Sequence, residues 1–236
     1  MDVTGYTTLS RQQGLMREMQ LIANNIANSA TTGYRQQGIV FSEYIRQTDE
    51  GSVSMSAAHA RATSFAQGTL TQTGGQFDLA VEGDGFFLIQ TPRGERLTRS
   101  GAFAVGNEGN MVTSDGYTVL DSGGAPVFVP PDATDFTVAQ DGTISSQGRP
   151  IGQVGLVQPT DPGAMVREGD IMFRADAGYD PVDAPRIRQG FIENSNVNPI
   201  LQISRMIEVQ RAYEMGQNFL EREDDRIRSA LKAFMT

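Results

Sequence analysis

Helical periodicity occupies both ends of this 236-residue chain, over residues 4–30 and 199–235, and glycine-rich, β-patterned sequence fills the span between them. A chain with helices at its extremities and its compact part in the middle is arranged to stack with copies or relatives of itself. It is not arranged around a cleft.

In the first segment Leu9, Met16, Met19, Ala23 and Ile26 follow gaps of seven, three, four and three residues, with Leu15 and Ile22 alongside. That is one helical stripe at heptad spacing. Gln12 stands where the pattern calls for an apolar side chain, and Gly33 follows as a stop signal. The last segment opens with Asn198-Pro199, a cap residue before Pro at the first helical position. Ile200, Ile203, Met206, Ile207, Tyr213, Leu220, Ile227, Leu231 and Phe234 mark one face, interrupted by Gln210, Gln217 and Asp224 at seven-residue intervals. At ~1.5 Å per residue this helix is about 55 Å long, too long to bury its stripe on a small β domain. Two readings stay open. The terminal helices pair within one chain, where a loop-closure cost of about 4–5 kcal/mol is offset by burial of apolar side chains at ~1.5–3 kcal/mol each. Alternatively the longer C-terminal stripe docks on neighbours.

The 26 glycines concentrate between Gly68 and Gly190, as expected where many turns need positive φ. Short strands are predicted at Gly68–Thr71, Asp78–Glu82, Gly85–Thr91, Glu95–Arg99, Phe103–Val105, Met111–Thr113, Val119–Leu120, Phe128–Val129, Phe136–Ala139, Thr143–Ser145, Gly152–Val157 and Ile171–Arg174. Asp115-Gly116 and Asp141-Gly142 read as type I′ turns. Residues 46–66, small, polar and aperiodic, read as a linker or extended arm. The predicted class is α+β: long N- and C-terminal helices in a coiled-coil-like layer, with a central antiparallel β-rich domain. The predicted divisions are 1–35 (helix and turn), 36–67 (arm), 68–190 (β-rich domain) and 191–236 (C-terminal helix).

A net charge of −9 without a basic block argues against nucleic acid as a partner. The absence of cysteine removes disulfides, zinc-thiolate sites and thiol catalysis. No run approaches the ~20 apolar residues of a membrane span, and MDVTGYTTLSRQQGLMREMQ shows no conventional secretory signal. His59, the single histidine, sits in the polar arm without a partner for a catalytic triad. Gly83-Asp84-Gly85-Phe86-Phe87 leads into a strand rather than opening a helix, so it is a hairpin turn and not a phosphate loop. Glu221, Glu223, Asp224 and Asp225 alternate with Arg222, Arg226 and Arg228 as on a solvated helix face. No catalytic, cofactor-binding or metal-binding residues are predicted, and no small-molecule substrate. The competing readings are a secreted β-domain enzyme or sugar-binding module carried on helical arms, and a cytoplasmic coiled-coil adaptor.

Four segments resemble the flagellar basal-body rod, hook and hook-basal-body family. Ala23-Asn24-Asn25-Ile26-Ala27-Asn28 with Thr32-Gly33-Tyr34-Arg35 is similar to its N-terminal signature. Asp84-Gly85-Phe86-Phe87 and Leu97-Thr98-Arg99-Ser100-Gly101-Ala102-Phe103 resemble its central β motif. Asn194-Ser195-Asn196-Val197-Asn198-Pro199 and Met206-Ile207-Glu208-Val209-Gln210-Arg211-Ala212-Tyr213-Glu214 resemble the approach to its last helix and that helix itself. Length and the opening residues are most similar to the proximal-rod type, with the distal-rod type as the alternative. The resemblance implies a structural subunit whose terminal helices pack around an export channel, with copies of itself and other rod proteins as partners. It also implies passage through the flagellar export apparatus without a cleaved signal, and a place in the basal body. Leu9, Met16, Met19, Ile22, Asn24, Asn25, Ile26, Asn28, Gly33, Ile203, Met206, Tyr213, Leu220, Ile227 and Leu231 are then the expected assembly interface. Asn24, Asn25 and Asn28 are expected to bond across helices or to the chain after Gly33.

Overall fold

A computed structural model describes residues 3–48, 51–130, 133 and 135–234, without the side chains of 3–7, 40–48, 51–61, 231 and 234. It contains two α-helices and many short antiparallel strands, an α+β mixture. The chain divides into two compact units. One comprises the residues up to Ala27, Gln36–Phe65 and those from Val197 onward; the other comprises Asn28–Arg35 and Ala66–Asn196. The chain therefore passes between them four times.

The first unit holds α1 (Val3–Ala27), α2 (Pro199–Phe234) and a hairpin of β1 (Gln37–Thr48) and β2 (Gly51–Thr63). The start of α2 follows local chemistry. The Asn198 Oδ1 accepts the N–H groups of Ile200 (3.1 Å) and Leu201 (3.2 Å), satisfying two of the orphan donors of the first turn. The predicted linker over 46–66 is paired instead: β1 and β2 run antiparallel from Gln37↔Thr63 to Thr48↔Gly51, with a shift of register at Val40/Phe41. Its small polar residues hide the strand signal because no apolar alternation marks a buried face.

The second unit is a β domain organised on Phe86–Thr91, which pairs with Gly94–Thr98, Thr118–Leu120 and Leu156–Pro159. Both faces of this strand are covered. Phe87 and Ile89 enter a cluster with Leu79, Val81, Phe103, Met111 and Val119, while Phe86 and Leu88 pack with Leu97, Leu120, Val157 and Phe173. A run of four apolar residues is what a strand buried on both sides requires.

Several strand predictions need revision. Gly152–Val157 is split between Arg149–Gln153 and Leu156–Pro159, which belong to different sheets. Phe128 forms an isolated bridge with Asn110 rather than a strand. Strands at Val166–Glu168, Tyr179–Pro181, Ile187–Gln189 and Phe191–Glu193 had no prediction. The Asp-Gly turns are also of another kind. At Gly116 and Gly142 only the glycine has positive φ, and the N–H groups of Gly116 and Gly142 bond Thr113 and Ala139 carbonyls three residues back. These are three-residue loops closed by a left-handed glycine. The two-residue turn with both residues at positive φ is Gln147-Gly148, between Ser146 and Arg149.

Candidate functional site

Two arrangements carry the polar and apolar features of interest, one in each unit. In the first unit α1 and α2 pair antiparallel. Glu18 meets Arg205 at 2.8 Å, and Gln12 Nε2 donates to the Tyr213 carbonyl at 2.9 Å. The buried face of α1 is Gln12, Leu21, Ile22 and Asn25, with Met19 and Ile26 half-buried; Leu9 and Met16 are 51% and 50% exposed. Of the stripe read as Leu9, Met16, Met19, Ala23 and Ile26, only Met19 and Ile26 turn partly inward, and Leu9, Met16 and Ala23 face outward. Gln12 is accommodated because Gly216 leaves a gap in α2: a Cβ there would lie 2.1 Å from Gln12 Nε2.

The face of α2 is divided likewise. Gln202 and Val209 are buried and Met206, Tyr213 and Leu220 half-buried, whereas Ile203 and Ile227 are 49% and 46% exposed. The side chain of Leu231 lies outside the described residues. Asn25 is the best-defined polar contact of this unit. Its Nδ2 donates to the Gln37 carbonyl (2.8 Å) and to Gln202 Oε1 (3.2 Å), and its Oδ1 accepts the Gln37 N–H (2.9 Å). One side chain so joins α1, the first residue of β1 and α2. Asn28 Oδ1 accepts the Thr31 hydroxyl in the turn after α1, and Asn24 is exposed on the helix.

Gly33 lies six positions beyond the last residue of α1, so it is not that helix's cap. It belongs to the second unit and is held at φ +73 with its N–H on the Glu193 carbonyl (2.8 Å). A Cβ at this position would lie 2.3 Å from the Ser100 nitrogen. The same corner contains a buried ion network. Glu193 is fully buried; its Oε1 takes Arg35 Nη1 (2.7 Å) and the Gly68 N–H (2.8 Å), and its Oε2 takes Arg99 Nε and Nη2 (2.9 Å each). Arg35 also donates to the Ala66 carbonyl, and Arg99 to those of Gly83 and Gly85. Burial, only partly offset by Glu193, pulls the Arg35 guanidinium down to about 10 and lowers Arg99 in the same direction. Arg167 lies over the Tyr34 ring (4.8 Å) and the Phe173 ring (4.7 Å) and donates to the Arg35 carbonyl. Asn196 Nδ2 donates to Ala66, and its N–H reaches the Tyr34 carbonyl at 3.4 Å.

Two of the segments quoted for the family resemblance therefore converge on one carboxylate, that of the residue immediately before a third. Sequence reasoning missed Glu193, Arg35 and Arg99 as partners. A charged residue ordinarily reads as exposed, and only the unusual apolar flank Phe191-Ile192 before Glu193 hinted otherwise.

The flagellar hook protein FlgE/F/G D1 domain matches residues 80–146, and the flagellar basal body rod FlgEFG protein C-terminal region matches 188–233. The flagellar basal-body rod protein FlgF of Caulobacter vibrioides is 39% identical over 98% of both chains. FlgF of Mesorhizobium japonicum is 37% identical, covering 89% of this chain and 88% of its own. The chain belongs to the flagellar basal-body rod family. It is a structural rod subunit of the proximal type rather than an enzyme, and it assembles with other flagellar rod proteins in the basal body. FlgG of Bacillus subtilis, at 30% identity over 93% of this chain, makes the distal type a secondary reading of the rod protein. No helix among the described residues is long and apolar enough to cross a membrane.

Proposed function

We propose that this rod protein builds its layer of the rod by packing the α1–α2 pair of one copy against those of its neighbours, forming a coiled-coil-like wall around the export channel that carries torque. One observation supports the reading: the pair leaves Ile200, Leu201, Ile203, Ile207 and Met215 exposed by 46–73% after the two helices have met. Apolar side chains left in water on that scale are the mark of an interaction surface. The interface predicted from the sequence divides accordingly. Ile22, Asn25, Met206, Tyr213 and Leu220 serve the pair inside one chain, and Leu9, Met16, Ile203 and Ile227 serve neighbours. Gly33 serves the β unit. Delivery through the export apparatus without a cleaved signal completes the proposal.

Ile203→Asp combined with Ile207→Asp tests it. Both positions are exposed, so the isolated chain should keep its helical content by circular dichroism. In a strain lacking the native gene, the variant should fail to support motility and be absent from purified basal bodies. Normal rods carrying the variant would remove this face from the assembly interface.

A further inference from the structure

Asn28–Arg35 is an excursion. The chain leaves the helical unit after Ala27, enters the β unit and returns at Gln36. Chain continuity therefore ties neither end of the segment to the β unit, and contacts alone hold it there. The β-unit residues that supply them, from Ala66 to Asn196, are 31 or more residues away. In this respect the segment is placed as a bound peptide is.

The contacts are also those of a bound peptide. Three successive residues are held by their backbone: the Gly33 N–H bonds the Glu193 carbonyl (2.8 Å), the Tyr34 carbonyl accepts the Asn196 N–H (3.4 Å), and the Arg35 carbonyl accepts Arg167 Nη2 (2.6 Å). Such backbone bonds supply affinity, and side-chain pockets supply selectivity. Each of the three positions is selective. At Gly33, φ is +73 and a Cβ would lie 2.3 Å from the Ser100 nitrogen. Tyr34 is buried beneath the Arg167 guanidinium, and Arg35 is buried on Glu193 Oε1 and the Ala66 carbonyl. The segment also shapes itself. The Thr31 N–H bonds the Asn28 carbonyl (3.1 Å), the Tyr34 N–H bonds the Thr31 carbonyl (3.2 Å), and the Thr31 hydroxyl bonds Asn28 Oδ1 (3.0 Å). Two consecutive turns result, and a peptide that forms them itself loses less conformational entropy on docking.

We infer that this corner of the β unit is a recognition site for a Gly–aromatic–Arg segment, and that it accepts Asn28–Arg35 from a second copy of the chain as well as from its own. Exchange of an identical element reproduces in trans every bond made in cis, so no new surface is needed. In isolated chains the tether favours the chain's own segment, at an effective concentration in the ~mM range. Copies held side by side reach comparable concentrations, and there the two sources compete. The inference concerns the β unit and does not depend on how the helices pack.

The full chain carrying Tyr34→Ala with Arg35→Ala, whose own segment no longer fills the corner, tests this. The probe is a fluorescent synthetic peptide of residues 28–36, read by anisotropy. It should bind saturably and raise the variant's Tm. The same peptide with Gly33→Ala or Arg35→Ala should bind about tenfold more weakly or worse, since one loses the fit at Ser100 and the other the bond to Glu193. Where the double variant does not fold alone, refolding it from urea with and without the peptide asks the same question, and recovery only with the native peptide supports the site. No saturable binding up to ~1 mM, or altered peptides that bind as tightly as the native one, would overturn it. Sedimentation of the double variant mixed with Glu193→Gln, which offers an intact segment, should show a two-chain species that neither forms alone. Absence of that species would overturn exchange between copies.

Discussion

Replacing Glu193 by Gln changes one oxygen to an NH₂ group and removes one charge from a fully buried site. The carboxylate accepts four hydrogen bonds: two at Oε1, from Arg35 and the Gly68 N–H, and two at Oε2, from Arg99. An amide keeps only one acceptor oxygen. Whichever way it turns, its NH₂ faces two N–H donors, so two of the four bonds are lost. Hydrogen bonds to charged groups contribute about 1.5–3 kcal/mol each, which sets the loss at about 3–6 kcal/mol. An independent argument agrees: breaking a buried ion pair by removing one partner costs about 3–5 kcal/mol. Arg35 and Arg99, each 2% exposed, would be left as buried cations without the carboxylate that bonds both of them.

A loss of about 4 kcal/mol lowers Tm by roughly 12 °C for a domain of this size class, at about 3 °C per kcal/mol. Differential scanning calorimetry of wild type and Glu193→Gln measures this directly. A decrease of less than about 3 °C would mean that water reaches the site and that the network contributes little.

Gly33→Ala should destabilise the β unit by more than about 2 kcal/mol, since positive φ alone costs about 1–2 kcal/mol and the added Cβ meets backbone at Ser100; urea unfolding checks it. Gln147→Asn should raise stability by about 0.5–1 kcal/mol, because Asn tolerates the left-handed conformation that Gln147 holds at φ 51; a shift of the urea midpoint to higher concentration is the readout. The Tyr179 hydroxyl donates to Glu95, and burial together with that bond pushes it up to about 12 from an ordinary 10. Its folded value lies above its unfolded one, so its contribution is complete below pH 10 and lost between pH 10 and 12. Tyr179→Phe should be less stable than wild type at pH 8, with the gap narrowing by pH 12.

Features set by neighbours in the chain were legible in the sequence. Asn198-Pro199 starts α2 because a cap acts on backbone two and three residues away. Phe103–Val105 and Met111–Thr113 occur where apolar residues and flanking glycines placed them. What depended on distant partners was not legible. Tyr179–Pro181 and Val166–Glu168 are strands by virtue of pairing with Leu156–Pro159 and Met172–Arg174, without an apolar alternation of their own. The stripe on α1 was identified by the spacing of its apolar residues, yet the buried side of the helix includes Gln12 and Asn25. Each has a specific carbonyl to bond, and hydropathy carries no information about that. Glu193 is the extreme instance, since its partners are 94 and 158 residues away.

The network around Glu193 should also resist the substitution that most buried ion pairs tolerate. Replacing an isolated buried ion pair by apolar residues of similar volume is often neutral or stabilising, because the charges serve only each other. Here they serve the backbone as well: Glu193 holds the Gly68 N–H, Arg35 the Ala66 carbonyl, and Arg99 the Gly83 and Gly85 carbonyls. The triple variant Arg35→Met, Glu193→Leu, Arg99→Met removes every charge but strands the Gly68 N–H and the Gly83 and Gly85 carbonyls, while the Ala66 carbonyl keeps the Asn196 side chain. Each costs about 1–3 kcal/mol when buried without a partner. The triple variant should therefore remain at least as unstable as Glu193→Gln, when the calorimetric comparison is made in one buffer. Recovery to wild-type Tm would mean that the arginines act only as counter-ions. Persistent instability would identify them as the ties between Ala66, Gly68 and the Gly83–Gly85 turn, which is the role that the convergence of Gly33-Tyr34-Arg35, Arg99 and Glu193 on one point requires.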